Sequence, residues 1–235
     1  MHILIYSIGK STIEPDVLGI DKKPIRCLEI SSLCAYYSKF VEKEQLQQKP
    51  NQDHHPALIF QKTIARIHQM GASLPMQYGM VVSSAEELQA IIEANSTDIK
   101  KELNRIGHTY EYSCHFSRKH ESRSQAPAGL TQSDSPGAKY LLKKYEQSRI
   151  ATQVAVDMDR LAKKVEEYTS EHLIEVKKSN GGESLSLHLR LVVNDLDKKS
   201  LITKLTKDFP QFQIHIFGPY PPSHFVKVSL KNPKQ

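Results

Sequence analysis

Eleven histidines and three cysteines in 235 residues make metal binding the first chemistry to test. A tetrahedral site needs ligands at short, regular spacing, and no HExxH, HxxxH or Cys/His quartet occurs. His108 and His115 are an odd number of residues apart, so a regular strand turns them to opposite faces. His54 and His55 sit in a polar stretch before a helix, and the histidines read as surface residues without a shared site. Carboxylate chemistry fares no better. Asp157 and Asp159 lie two apart on a helix, about 200° around its axis, too far to share a substrate atom. Asp195 and Asp197 are explained by the favourable dipole at a helix start. GxSxG, GxxxxGK[ST] and GxGxxG are all missing, so neither a nucleophile elbow nor a phosphate cradle is signalled. No catalytic set, metal or cofactor is expected. Cys27, Cys34 and Cys114 are odd in number and form no CxxC pair, which predicts reduced thiols in a cytoplasmic protein.

Binding is the chemistry the remaining residues suit. In "GPYPPSHF", Pro219, Pro221 and Pro222 bracket Tyr220, with Phe225 just beyond. Proline fixes φ and removes the backbone donor, so this segment is expected to leave the strand pattern and run as polyproline II or a turn. A stiff segment loses little entropy on binding, and its rings can serve two purposes. Tyr220 and Phe225 either pack on their own domain or form an aromatic ridge for a partner.

The net charge is +6, and all of the excess lies in the second half. Residues 1–118 hold 13 Lys+Arg against 13 Asp+Glu, while residues 119–235 hold 19 against 13. A basic half fits solubility, an acidic partner or RNA. For RNA, the aromatic strand Tyr110–Phe116 is followed by Arg118, Lys119 and Arg123, although the RNA-binding signature rich in glycine and aromatics is missing.

The elements that would position these groups follow from periodicity. "ILIYSI", "IRCLEI" and "SLCAYYS" read as strands, and the polar stretch 39–55 as a loop or frayed helix. A helix from Pro56 carries Phe60, Ile64 and Ile67 and stops at Gly71; "LPMQYGMVV" (74–82) reads as a strand. Ser84 and Glu87 make a capping box for a helix with the stripe Leu88, Ile92, Ile99, Leu103 and Ile106, ended by Gly107. Tyr110, Tyr112, Cys114 and Phe116 then share one strand face.

Residues 117–136 have no apolar period and read as a linker. A long helix over 138–170, a hairpin about "SNGGE", a helix from near Asp195 and a strand over 212–217 follow. The order α-β-β-α-β is a ferredoxin-like half without its first strand. Two α+β domains are expected, each a helix-on-antiparallel-sheet sandwich. They span 1–116 and 137–235, the second carrying the proline strap.

Several short motifs occur in an order that resembles the gas vesicle GvpL/GvpF family. Leu74, Pro75, Tyr78 and Gly79 match its LP-x-x-(F/Y)-G segment, and Gly107 with Glu111 its G-x-x-E strand. Gly137, Tyr140 and Leu141 match a helix start, "LRLVV" an apolar strand, and "GPYPPSHF" a GPWPPYSF-like segment. Gln77, Tyr220 and Ser223–His224 depart from the family pattern.

The resemblance implies a non-enzymatic accessory protein for gas vesicle assembly. Its implied partners are the small hydrophobic shell protein GvpA and other accessory proteins; an RNA-binding module using the basic C-terminal half is the alternative, and no apolar run is long enough to span a membrane. Under that reading Tyr220, Pro221, Pro222 and Phe225, with Leu74, Pro75 and Tyr78, form or support the partner-binding surface.

Overall fold

The computed structural model describes residues 2–10, 15–41, 56–119, 136–181 and 184–231. Residues 42–55 of the polar stretch 39–55, and 120–135 of the expected linker 117–136, lie outside them; residues 39–40 and 117–118 are strand and residue 136 is helix, against expectation. The chain divides into two compact units, Met1–Glu111 with Pro219–Gln235, and Tyr112–Gly218. The segment after Gly218, expected in the second domain, therefore counts with the first.

The first unit is built on β1 (His2–Gly9), which pairs antiparallel with β3 (Leu33–Phe40) on one side. On its other side lie β4 (Ser73–Pro75) and β5 (Val81–Val82), and β2 (Arg26–Ile30) pairs with β3. Helix α1 (Pro56–Met70) contributes Phe60, Ile64 and Ile67 to one cluster, with Leu4 and Tyr6 of β1. Helix α2 (Ala85–Ile106) contributes Leu88, Ile92, Ile99 and Leu103 to another, with Ile3 and Ile5. Burial on both faces is why β1 is a near-continuous apolar run and not an alternating one.

Two expectations need correction here. The stretch "LPMQYGMVV" is two short strands and a turn, because Gly79 takes φ 86° and Met80 donates its N–H back to the Gln77 carbonyl at 3.2 Å. Cys27 and Cys34 are joined as a disulfide, against the expected free thiols. The two sit diagonally across the β2–β3 hairpin with Cα atoms 5.9 Å apart, within bridging reach. Cys114 is free but buried, which pushes its thiol pKa up to about 12 and makes it a packing residue.

Helix α2 starts as its sequence predicts. Ser84 Oγ accepts the Glu87 N–H at 3.2 Å, while Glu87 returns its carboxylate to the Ser83 N–H at 2.7 Å, one residue earlier than the expected box. Gly107 ends the helix at φ 60°, ψ −159°, a conformation essentially confined to glycine. Gly107→Ala is thus expected to cost about 1–3 kcal/mol although nothing lies within 4 Å of the added carbon. An unchanged urea midpoint for this variant would show that the backbone there is not strained.

The second unit has the sheet order β7-β8-β6-β9, from β6 (Tyr110–Arg118), β7 (Leu173–Gly181), β8 (Ser184–Leu191) and β9 (Phe212–Tyr220). Helices α3 (Pro136–Thr169) and α4 (Lys198–Asp208) complete it. The first strand that the α-β-β-α-β order lacks is β6, expected from sequence in the first domain. Ser113 bonds His188 at 3.0 Å and His115 bonds Ser186 at 2.9 Å, so β6 runs antiparallel to β8. Tyr112, Cys114 and Phe116 are buried, as are Leu185, Leu187 and Leu189 of β8 and Val154, Met158, Leu161 and Val165 of α3.

Candidate functional site

The proline strap begins inside a strand, against expectation: β9 continues through Gly218 and Pro219 to Tyr220. β9 is an edge strand, where a proline can sit because one row of its backbone groups makes no ladder bond. Gly218 takes φ 121°, and its carbonyl accepts the Lys198 ammonium at 2.8 Å. Pro221 and Pro222 then turn the chain tightly. Ser223 N–H donates to the Pro221 carbonyl at 2.7 Å and Phe225 N–H to the Pro222 carbonyl at 3.0 Å, closing a 3₁₀ turn over Ser223–Phe225.

That turn drives the Phe225 ring into the core cluster beside α2, where it is 0% exposed. Three further contacts hold the segment. The Glu111 carboxylate, nearly buried on β6, accepts the His224 N–H at 3.0 Å and meets His224 Nδ1 at 2.5 Å. Arg105 donates to the Phe225 carbonyl while its guanidinium is paired with both Glu102 oxygens at 2.8 Å. Glu102 also accepts the Lys227 N–H at 2.6 Å. The Arg105 hydrogen bonds hold the Glu102 carboxyl below its usual pKa range, and the Lys227 N–H adds to this.

A second polar cluster supports the same unit. His68 is buried, with Nε2 2.7 Å from the Thr109 carbonyl. A carbonyl can only accept, so Nε2 carries the proton. Burial pushes the pKa of His68 down and keeps it neutral.

The residues expected at a partner surface therefore divide in two. Tyr220 and Tyr78 are 40% and 42% exposed. Phe225, Leu74, Pro75, Pro221 and Pro222 are buried, so they can support such a surface but present no side chain to it. Tyr78 stands edge-on to Phe60, ring centres 5.3 Å apart, so its body is anchored while its rim is free. Tyr112 and Phe116 point into the core and offer no stacking surface to a nucleic-acid base. Arg123 lies outside the described residues, and the Lys119 ammonium is engaged by the Pro210 carbonyl at 2.7 Å.

Glu102, Arg105 and Asn95 escaped the sequence reading. Asn95 had a signal: a polar residue inside the apolar stripe between Ile92 and Ile99 has to find buried partners.

Residues 2–227 match the model of the family described as gas vesicle synthesis protein GvpL/GvpF. The chain belongs to the GvpL/GvpF family. No curated protein matches it. The gas vesicle protein GvpF from Microcystis aeruginosa is similar in structure, with TM-score 0.69 at 14% identity, covering 97% of this chain and 99% of that one. GvpF from Anabaena sp. PCC7120 gives TM-score 0.72 at 13% identity, covering 97% of each chain. At such identities the likeness is one of fold, and it extends over both α+β units of this GvpL/GvpF-family chain.

Two of the family-like motifs meet in the strap. Glu111 of the G-x-x-E strand is the carboxylate that holds His224 of the GPYPPSHF segment. Gly107 of the same motif ends α2. The helix-start motif, Gly137–Tyr140–Leu141, lies at the start of α3, with Tyr140 and Leu141 exposed. None of the helices among the described residues is long and apolar enough to cross a membrane.

Proposed function

We propose that this gas vesicle family member is an assembly factor that binds the small hydrophobic shell protein GvpA and other accessory proteins in the cytoplasm. It acts by association and not by catalysis. The observation that carries this reading is the state of Tyr78 and Tyr220 in a chain of this family. Each ring is part-exposed; Tyr78 stands edge-on to the Phe60 ring, and Tyr220 is followed directly by the buried Pro221 and Pro222, whose φ angles are fixed. A tyrosine held this way offers apolar area and a hydrogen-bonding tip at small entropic cost, which is why tyrosines are frequent binding hot spots. A shell subunit with a strongly apolar face needs such cover before it joins the wall, since exposed greasy surface collapses indiscriminately.

Tyr78→Ala and Tyr220→Ala test the reading. Each is expected to weaken capture of co-expressed GvpA by about tenfold, the loss of a hot spot of roughly 1.4 kcal/mol, with little change in melting temperature. Undiminished capture by the double variant would remove both rings from the surface.

A further inference from the structure

Beyond the strap the chain continues as an extended segment, and the way it is held resembles the binding of a peptide. Val226, Val228 and Leu230 alternate onto the core cluster, while Lys227, Ser229 and Lys231 face out. Its main chain is gripped at two points by side chains seven positions apart on α2. Glu102 accepts the Lys227 N–H at 2.6 Å. The Asn95 amide makes a two-way bond with Lys231, donating to its carbonyl at 2.9 Å and accepting its N–H at 3.0 Å. Asn95 is buried and also donates to the Ile91 carbonyl at 2.7 Å, which fixes the orientation of the amide.

We propose that this channel along α2 is a binding site for an extended peptide with aliphatic residues at alternate positions, filled by residues 226–231 of the chain itself until a partner peptide of that pattern displaces them. The polar contacts go to main-chain groups, which every peptide offers, so they set direction and register without demanding a sequence. Specificity then rests on the period-two placement of apolar side chains. The resident segment reads Val-Lys-Val-Ser-Leu-Lys and so supplies that pattern.

The resident segment is less deeply buried than the strap that precedes it. Phe225 is fully buried and anchors the strap, whereas Val226, Val228 and Leu230 are only half-buried. The inference stands on the geometry of the first unit alone. It does not depend on Tyr78, Tyr220 or GvpA, so either reading can fail without the other.

The probe is a fluorescent peptide of the sequence VKVSLKNPKQ, titrated into the full chain and into a chain ended at Phe225, with folding of the latter checked by circular dichroism. A tethered segment competes at an effective concentration on the order of millimolar, so the shortened chain is expected to bind the peptide at least about tenfold more tightly. Asn95→Ala in the shortened chain should remove most of that gain. A shuffled peptide with its three aliphatic residues adjacent should bind weakly. Equal binding by both chains, or equal binding of the shuffled peptide, overturns the proposal.

If the shortened chain does not fold, excess peptide added to the full chain should speed tryptic cleavage after Lys227 several-fold, and an unchanged rate overturns it. A shift to dimer driven by exchange of residues 226–231 between two copies would assign the channel to self-association, against the proposal.

Discussion

Phe225→Ala is expected to destabilise the protein by about 3–5 kcal/mol, the range for truncating a fully buried phenylalanine. The ring is 0% exposed and packs in one cluster with Ile3, Ile5, Leu88, Ile92, Ile99 and Leu103. Its removal leaves a cavity between β1 and α2 that a locked 3₁₀ turn cannot collapse to fill. Tyr220→Ala, five residues earlier and 40% exposed, should cost less than about 1 kcal/mol, in the usual range for a substitution outside the core. Urea unfolding of the two variants side by side makes the comparison. Equal midpoints would mean that the strap does not dock as described. The contrast also separates a core ring from a part-exposed one five residues away in the same segment.

Glu111→Ala is expected to cost about 2–4 kcal/mol. A nearly buried carboxylate that accepts two bonds from His224 is replaced by a gap, and donors that lose a buried charged partner carry a large penalty. Glu111→Gln keeps the shape and one acceptor and should lose roughly half as much. Besides the unfolding midpoint, the readout is tryptic cleavage after Lys227, which should rise in both variants as the strap loosens. If cleavage stays at the wild-type rate while stability falls, Glu111 serves β6 and not the strap.

Most elements were legible because their signals are local. The stripe from Leu88 to Ile106 with its serine start and glycine stop marked α2, and the leucine alternation of β8 marked a half-buried strand. The partner of β6 was not legible. Alternation at Tyr110, Tyr112, Cys114 and Phe116 says which face is buried but not which strand lies alongside, and chain order suggested the wrong sheet. Chain order misled again at the strap. It follows β9, yet the turn at Pro221–Pro222 brings Phe225 to α2, a contact between residues more than a hundred positions apart.

Of the seven residues expected at a partner surface, Tyr78 and Tyr220 are part-exposed and the other five are buried. Aromatic and proline content cannot tell a surface anchor from its support. The polar grip was hidden for a similar reason. Glu102 and Arg105 look like any surface pair three apart on a helix, and only the fold brings the Phe225 carbonyl and the Lys227 N–H to them.

Dilution of denaturant-solubilised GvpA into buffer, followed by light scattering and size-exclusion chromatography, tests the proposed binding role most directly. With an equimolar amount of this protein present, scattering should stay low and the two proteins should elute together. Scattering that rises as it does in buffer alone, with the proteins eluting apart, would contradict the account.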